Sequence, residues 1–190
     1  GLIMPGITII IDPIIALIED QVDGLCKYGI DRAVGISSDL SPDQQKNLLE
    51  ELKNSQKYYI FISPERLQSP KFRQNLNQLT QTTIINVVAI DEAHCVSEWG
   101  HDFRPAYLNL SRNIREYMKD NQGLSPTIAA LTGTASRSVL RDVLVELSIK
   151  DNDTESIIRP LNFDREELNF FIQSSREVGH YEHTINGAIN

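Results

Sequence analysis

A chain of 190 residues, 41% hydrophobic and 23% charged, has the length and composition of one soluble globular domain with a core of its own. Its formal net charge of -8 argues against a stand-alone nucleic-acid binder, because phosphate contacts need a surplus of Lys and Arg on at least one face. Two cysteines, Cys26 and Cys95, are too few for a disulfide framework and point to a reducing compartment.

The apolar opening from Gly1 to Ile18 is interrupted by Asp12 and Pro13 and follows no basic cluster, so it reads as a buried strand plus a helix, with no membrane segment. Apolar, β-branched runs then recur at Ile7 to Ile11, Ala33 to Ile36, Tyr58 to Ile62, Ile84 to Ile90 and Thr127 to Leu131. Each is followed by a helix-like stretch. Repeated βα units of this kind predict an α/β fold, a parallel sheet with helices on both faces. The helices are expected over Pro13 to Tyr28, Pro42 to Lys53, Glu65 to Leu79, Pro105 to Lys119 and Ser136 to Leu147. Asp12-Pro13, Ser41-Pro42 and Ser63-Pro64 each set an N-cap residue before a proline suited to the first helical position, and Ser41 with Gln44 forms a candidate capping box. Leu48, Leu49 and Leu52 give the second helix an apolar face. Asp151 to Ser156 reads as a polar loop, Glu167 to Gln173 as an extended stretch, and Ser174 to Asn190 as a linker or frayed end.

The sharpest chemical signal is the strand Ile84 to Ile90 running into Asp91-Glu92-Ala93-His94. Ligands of parallel α/β sheets gather at the carboxyl ends of strands, where this acidic pair is expected. One carboxylate there can hold a magnesium ion through water, and the other can deprotonate the water that attacks a γ-phosphate. An ordinary acidic turn from strand to helix remains the alternative. In the following stretch, Trp99 and Phe103 offer flat faces on which bases can stack, while His101 and Arg104 can meet phosphate or a nucleotide. The alternative is that the two aromatics plug the core under a loop. A zinc site built from His94, Cys95 and His101 falls short of the four ligands that structural zinc takes.

With the continuation Ser97-Glu98-Trp99-Gly100-His101-Asp102-Phe103-Arg104-Pro105-Ala106-Tyr107, the chain closely resembles the RecQ helicase family. Asp91 to His94 resembles the family's Walker B motif. Ser97 to Tyr107 resembles its aromatic-rich loop, which couples DNA contact to ATP hydrolysis. Asp12 to Val22 is similar to motif Ia, with Asp12 where the family usually has serine; a carboxylate there would repel phosphate but can still cap. Ser63-Pro64-Glu65-Arg66-Leu67 resembles the next motif, and its Arg66 is expected to pair either with phosphate or with Glu65 or a helix carbonyl. Leu131 to Ser136 resembles motif III, with Gly133 where alanine is commoner; a plain Thr/Ser cap opening the helix from Ser136 is the other reading. Asn162 to Leu168 is similar to the segment that closes the family's first motor domain.

The resemblance implies a RecA-like P-loop NTPase fold over residues 1–173. It implies ATP and Mg²⁺ as cofactors, Asp91, Glu92 and His94 in catalysis, Asp91 on magnesium, and Thr132 and Thr134 at the nucleotide. Trp99, His101, Phe103, Arg104 and Arg66 become the DNA-contacting and coupling residues. Single-stranded and duplex DNA and a second RecA-like domain of the same parent chain become the partners, in a 3′ to 5′ DNA helicase of repair and recombination. Such a protein is expected in the bacterial cytoplasm at the nucleoid, or in a eukaryotic nucleus. No Gly-Lys-Ser or Gly-Lys-Thr occurs, so the phosphate-binding loop, upstream of motif Ia in the family, is expected to precede Gly1. On that expectation the stretch is N-terminally truncated and nearly inactive by itself. Two other functions stay open: a non-catalytic DNA- or protein-binding module derived from a helicase domain, and an RNA helicase, which shares the Asp-Glu-Ala-His box but lacks the aromatic loop.

Overall fold

The computed structural model describes residues 6–36, 42–54, 57–98, 102–150 and 156–158. The chain divides into two compact units, Gly1–Asp153 and Thr154–Asn190, and all of the regular structure described below lies in the first. The stretches 167–173 and 174–190, and Ser41 with its capping box, fall outside the described residues.

The strands are β1 (Ile7–Ile11), β2 (Ala33–Ile36), β3 (Tyr59–Ile62), β4 (Ile85–Ile90) and β5 (Thr127–Ala130). They form one parallel sheet in the order β2-β3-β1-β4-β5. Parallel neighbours need crossovers, and the chain supplies helices for them: α1 (Ile15–Lys27), α2 (Pro42–Lys53), α3 (Pro70–Leu79), α4 (Leu110–Tyr117) and α5 (Arg137–Glu146). No helix among the described residues is long and apolar enough to cross a membrane.

Strand alternation divides the apolar residues between two faces. On one face Ile9, Ile11, Ile60, Ile62, Val88 and Ile90 pack with Leu48 and Leu52 of α2, Leu76 of α3, Ile114 of α4 and Val143 of α5. On the other, Ala33 and Phe61 meet Ile18 of α1. Helices therefore cover both faces, as the pattern predicted. Gly35 lets α1 approach, since a Cβ there would stand 2.8 Å from Ile18 Cγ2.

Three expected helix starts differ in detail. The stretch Glu65 to Leu79 is two elements, a 3-10 turn Pro64–Gln68 and then α3, because Ser69-Pro70 repeats the start signal: the Ser69 hydroxyl accepts from the Phe72 N–H and Pro70 takes the first turn. Pro105 to Lys119 likewise splits into a 3-10 turn, Pro105–Tyr107, and α4. Asp12 does not cap α1, which begins after Ile14 without a side-chain cap. The last expected helix start holds: Ser136 accepts from the Val139 N–H and caps α5.

Candidate functional site

Register builds the site. Ile11, Ile62, Ile90 and Ala130 lie level across four neighbouring strands, so Asp12, Ser63, Asp91 and Leu131, one residue further on, stand in a row along the carboxyl rim. The ladder runs on into this row: the N–H groups of Asp12, Asp91 and Leu131 donate to the carbonyls of Ile62 (3.0 Å), Ile11 (2.9 Å) and Ile90 (2.9 Å). A carboxylate at this level is thus held by the whole sheet rather than by a loop.

Asp91 is half-buried, and its Oδ1 accepts the Glu92 N–H at 2.9 Å. Glu92 takes a left-handed backbone, φ 47° and ψ 44°, a conformation that costs a non-glycine residue about 1–2 kcal/mol. That turn leaves the Glu92 side chain 44% exposed while Ala93, next in the chain, is buried and donates its N–H to the Leu131 carbonyl at 2.9 Å. The Nδ1 of His94 lies 3.1 Å from Glu92 Oε2 and 3.1 Å from Thr132 Oγ1. A proton on Nδ1 lets the ring donate to either oxygen. Thr132 Oγ1 also accepts the Thr134 N–H at 3.3 Å. Asp91, Glu92, His94 and Thr132 are thereby joined in one polar chain across the ends of β4 and β5, with Thr134 attached at its margin.

Asp12, beside Asp91 on the rim, is arranged differently. It is 1% exposed, its Oδ1 accepts the Ile14 N–H at 2.8 Å and its Oδ2 accepts from Gln21 Nε2 at 3.0 Å. Burial pushes its carboxyl above the ordinary carboxylate value; the Ile14 hydrogen bond opposes this, Asp91 adds to it, and Arg104 and Gln21 oppose it. The charge expected to repel phosphate at this spot is turned inward.

The stretch from Asp102 to Tyr107 is stitched to three rim turns. Arg104 donates its backbone N–H to the Cys95 carbonyl at 3.0 Å, its Nη1 donates to the Pro13 carbonyl at 2.8 Å, and the same Nη1 lies 4.0 Å from Glu65 Oε1. Tyr107 is 1% exposed and its hydroxyl donates to the Asp91 carbonyl at 3.1 Å, so the end of the loop holds the backbone of the acidic turn from below. Burial pushes both the Tyr107 phenol and the Cys95 thiol upward, which keeps each neutral. Phe103 is half-buried. Trp99 and His101 lie outside the described residues.

Arg66 belongs to a different neighbourhood. Its guanidinium lies over the Phe72 ring, 5.1 Å from the centroid, and the side chain lines a cavity with Ile36, Leu48, Leu52, Ile60 and Leu76 in the helix layer. Sequence reasoning did not foresee the hold of Tyr107 on Asp91, the hold of Arg104 on Pro13, or the Gln21 contact to Asp12. Each pairs a side chain with a group whose position only the fold supplies. Among the described residues no three His, Cys, Asp or Glu side chains converge on a point that would hold a metal directly.

Residues 4–143 match the model of the family described as DEAD/DEAH box helicase. The chain is 40% identical over 170 residues to the ATP-dependent DNA helicase RecQ of Bacillus subtilis (strain 168), covering 90% of this chain and 26% of that protein. It is 38% identical over 152 residues to the ATP-dependent DNA helicase Q5 of Mus musculus, covering 79% and 15%. It therefore spans about a quarter or less of these two relatives. Among solved structures, the Hef helicase domain of Pyrococcus furiosus superposes with a TM-score of 0.53 at 15% identity, covering 77% of this chain and 28% of that one, a likeness of fold. An acidic turn at the rim of a five-stranded parallel sheet, a family match across most of the chain and RecQ-type relatives on both sides of the bacterial and animal divide lead to one assignment: the chain belongs to the DEAD/DEAH box helicase family, and the curated relatives it matches are of RecQ type.

Proposed function

We propose that residues 1–173 belong to the first motor domain of an ATP-dependent, 3′ to 5′ DNA helicase of RecQ type. The observation that carries the reading is the pairing of Asp91 and Glu92 on the carboxyl rim, one carboxylate anchored, the other exposed and tied through His94 to Thr132.

The donor set fits a magnesium nucleotide. Asp91 uses one oxygen on the Glu92 N–H, and its other oxygen makes no hydrogen bond among the described residues, which suits it to a hydrated cation. When bound, magnesium offsets the charge that develops on the γ-phosphate. Glu92 is the proton acceptor for the attacking water at one Oε, and His94 orients that carboxylate from the other side through Nδ1. Because the same Nδ1 also faces Thr132, a shift of the β5 end is transmitted to the Glu92 carboxylate within two contacts. Thr132 and Thr134 thus relate the nucleotide to domain movement.

The stretch from Ser97 to Tyr107 is the DNA-sensing element, with Trp99 and Phe103 stacking on bases and His101 and Arg104 meeting phosphate or nucleotide. Arg104 leaves the carbonyl of Pro13 to do so, which ties its movement to the turn after β1. DNA, single-stranded or duplex, and a second RecA-like domain of the same parent chain are the partners.

The test is ATP turnover of the full-length parent protein with and without single-stranded DNA, for wild type and Glu92→Gln. Loss of the proton acceptor lowers kcat by about 10²–10⁴-fold with folding intact. Unchanged turnover in the variant would defeat the assignment of Glu92, and turnover indifferent to DNA would defeat the DNA helicase.

A further inference from the structure

We propose that Asp142, on α5, is a positioning residue that sets how strongly DNA accelerates ATP turnover, by fixing the point at which the aromatic loop leaves the acidic turn. The proposal rests on the reading of Glu92 and the loop given above.

Ser97 is the first residue of that loop and the last of the turn: its N–H donates to the His94 carbonyl at 3.0 Å, closing the 3-10 turn Ala93–Val96, and it is 1% exposed. Its hydroxyl donates to Asp142 Oδ2 at 2.5 Å, at the short end of the range for a hydroxyl on a carboxylate, a charge-assisted bond about twice as strong as a neutral one. Asp142 itself stands on a fixed base. Val139 and Val143, on either side of it in α5, are 6% and 3% exposed in the core, and Ser136 caps the helix start.

The same short turn is therefore held at three points by the segment that follows β5, the first being the Ala93 N–H on the Leu131 carbonyl. His94 meets Thr132 at the strand end, and three residues later Ser97 meets Asp142 in the helix. The Ala93 and His94 contacts hold the start of the turn, and the Ser97 hydroxyl ties its far end, where the loop begins, to α5. That bond, between residues 45 apart in sequence, sets the direction in which the chain leaves the turn at Glu98. Asp142 bonds at Ser97, the end of the turn opposite Glu92, so its first effect is on where the loop departs.

The experiment uses the full-length parent, a single-stranded oligonucleotide of fixed length, and steady-state ATP turnover with and without it. For Asp142→Ala, turnover without DNA stays near wild type, DNA-stimulated kcat falls about tenfold, and thermal melting falls by a few degrees as the buried Ser97 hydroxyl loses that partner. Asp142→Asn, which still accepts from the Ser97 hydroxyl, retains most of the stimulation. In the double variant with Ser97→Ala the loss is well short of the product of the two single losses, since the two changes share one contact. Full stimulation in Asp142→Ala, an Asn variant as impaired as Ala, or losses that multiply in the double variant would each overturn the proposal while leaving the helicase reading in place. A wild-type enzyme that DNA does not stimulate would overturn both.

Discussion

Asp12 and Asp91 follow adjacent strands at the same level of the sheet, one residue past the paired Ile11 and Ile90, yet their carboxylates meet different fates. Asp12 is buried with one oxygen on the Ile14 N–H and the other on Gln21 of α1; Asp91 is half-buried with one oxygen on its neighbour's N–H. The residue that follows each one decides. Pro13 has no N–H, so Asp12 reaches past it to the N–H of Ile14 and wraps its carboxylate inward. Glu92 has an N–H and accepts a left-handed backbone, so Asp91 bonds the very next amide and the chain turns its second acid outward. Position on a rim is shared by structure and chemistry alike; local backbone separates them.

The contrast can be broken most forcefully at Asp91. In the full-length parent, Asp91→Asn lowers ATP turnover by about 10–100-fold, as for a group that holds a cation through water, and raises the magnesium concentration needed for half-maximal rate. A variant with normal magnesium dependence would make Asp91 a second Asp12. Tyr107→Phe gives a smaller effect, because it removes only the hydroxyl beneath the Asp91 carbonyl: urea unfolding should show a loss of about 0.5–1.5 kcal/mol with an unchanged m-value. No loss would mean that the acidic turn stands without support from the loop.

The smallest effect sharpens the other side. The folded state raises the Asp12 carboxyl above its ordinary value of 3.8, so it holds that proton more tightly than the unfolded chain does. Stability from this group is therefore greatest at low pH and is lost as pH rises from the ordinary value through the folded one. Asp12→Asn cannot titrate and keeps an acceptor for Ile14, so its stability relative to wild type should climb across that window and then level off. Unfolding curves for the two proteins that run parallel in pH would show that the buried charge costs nothing.

The five strands were legible to within a residue at each end, because β-branched runs bounded by Pro, Ser and Asp leave little choice of register. The acidic turn was legible too, as the continuation of the longest strand. Helix beginnings were less so. Asp12 has the composition of a cap, and only the fold shows that its acceptor atoms are engaged two residues before the helix starts. Ser69-Pro70 carried the same signal as Ser63-Pro64 and was absorbed into one long helix, an error of segmentation rather than of missing information. Contacts such as Arg104 to Pro13, 91 residues apart, or Ser97 to Asp142, have no trace in spacing at all, since they depend on which strand lies beside which.

The left-handed backbone of Glu92 has a consequence beyond turnover. Glycine or asparagine would occupy that conformation with less strain, so the folded domain gains heat tolerance when the glutamate is replaced there. Selection for stability alone would favour those residues over glutamate, so an exposed carboxylate held at this strain points to a use for it beyond folding.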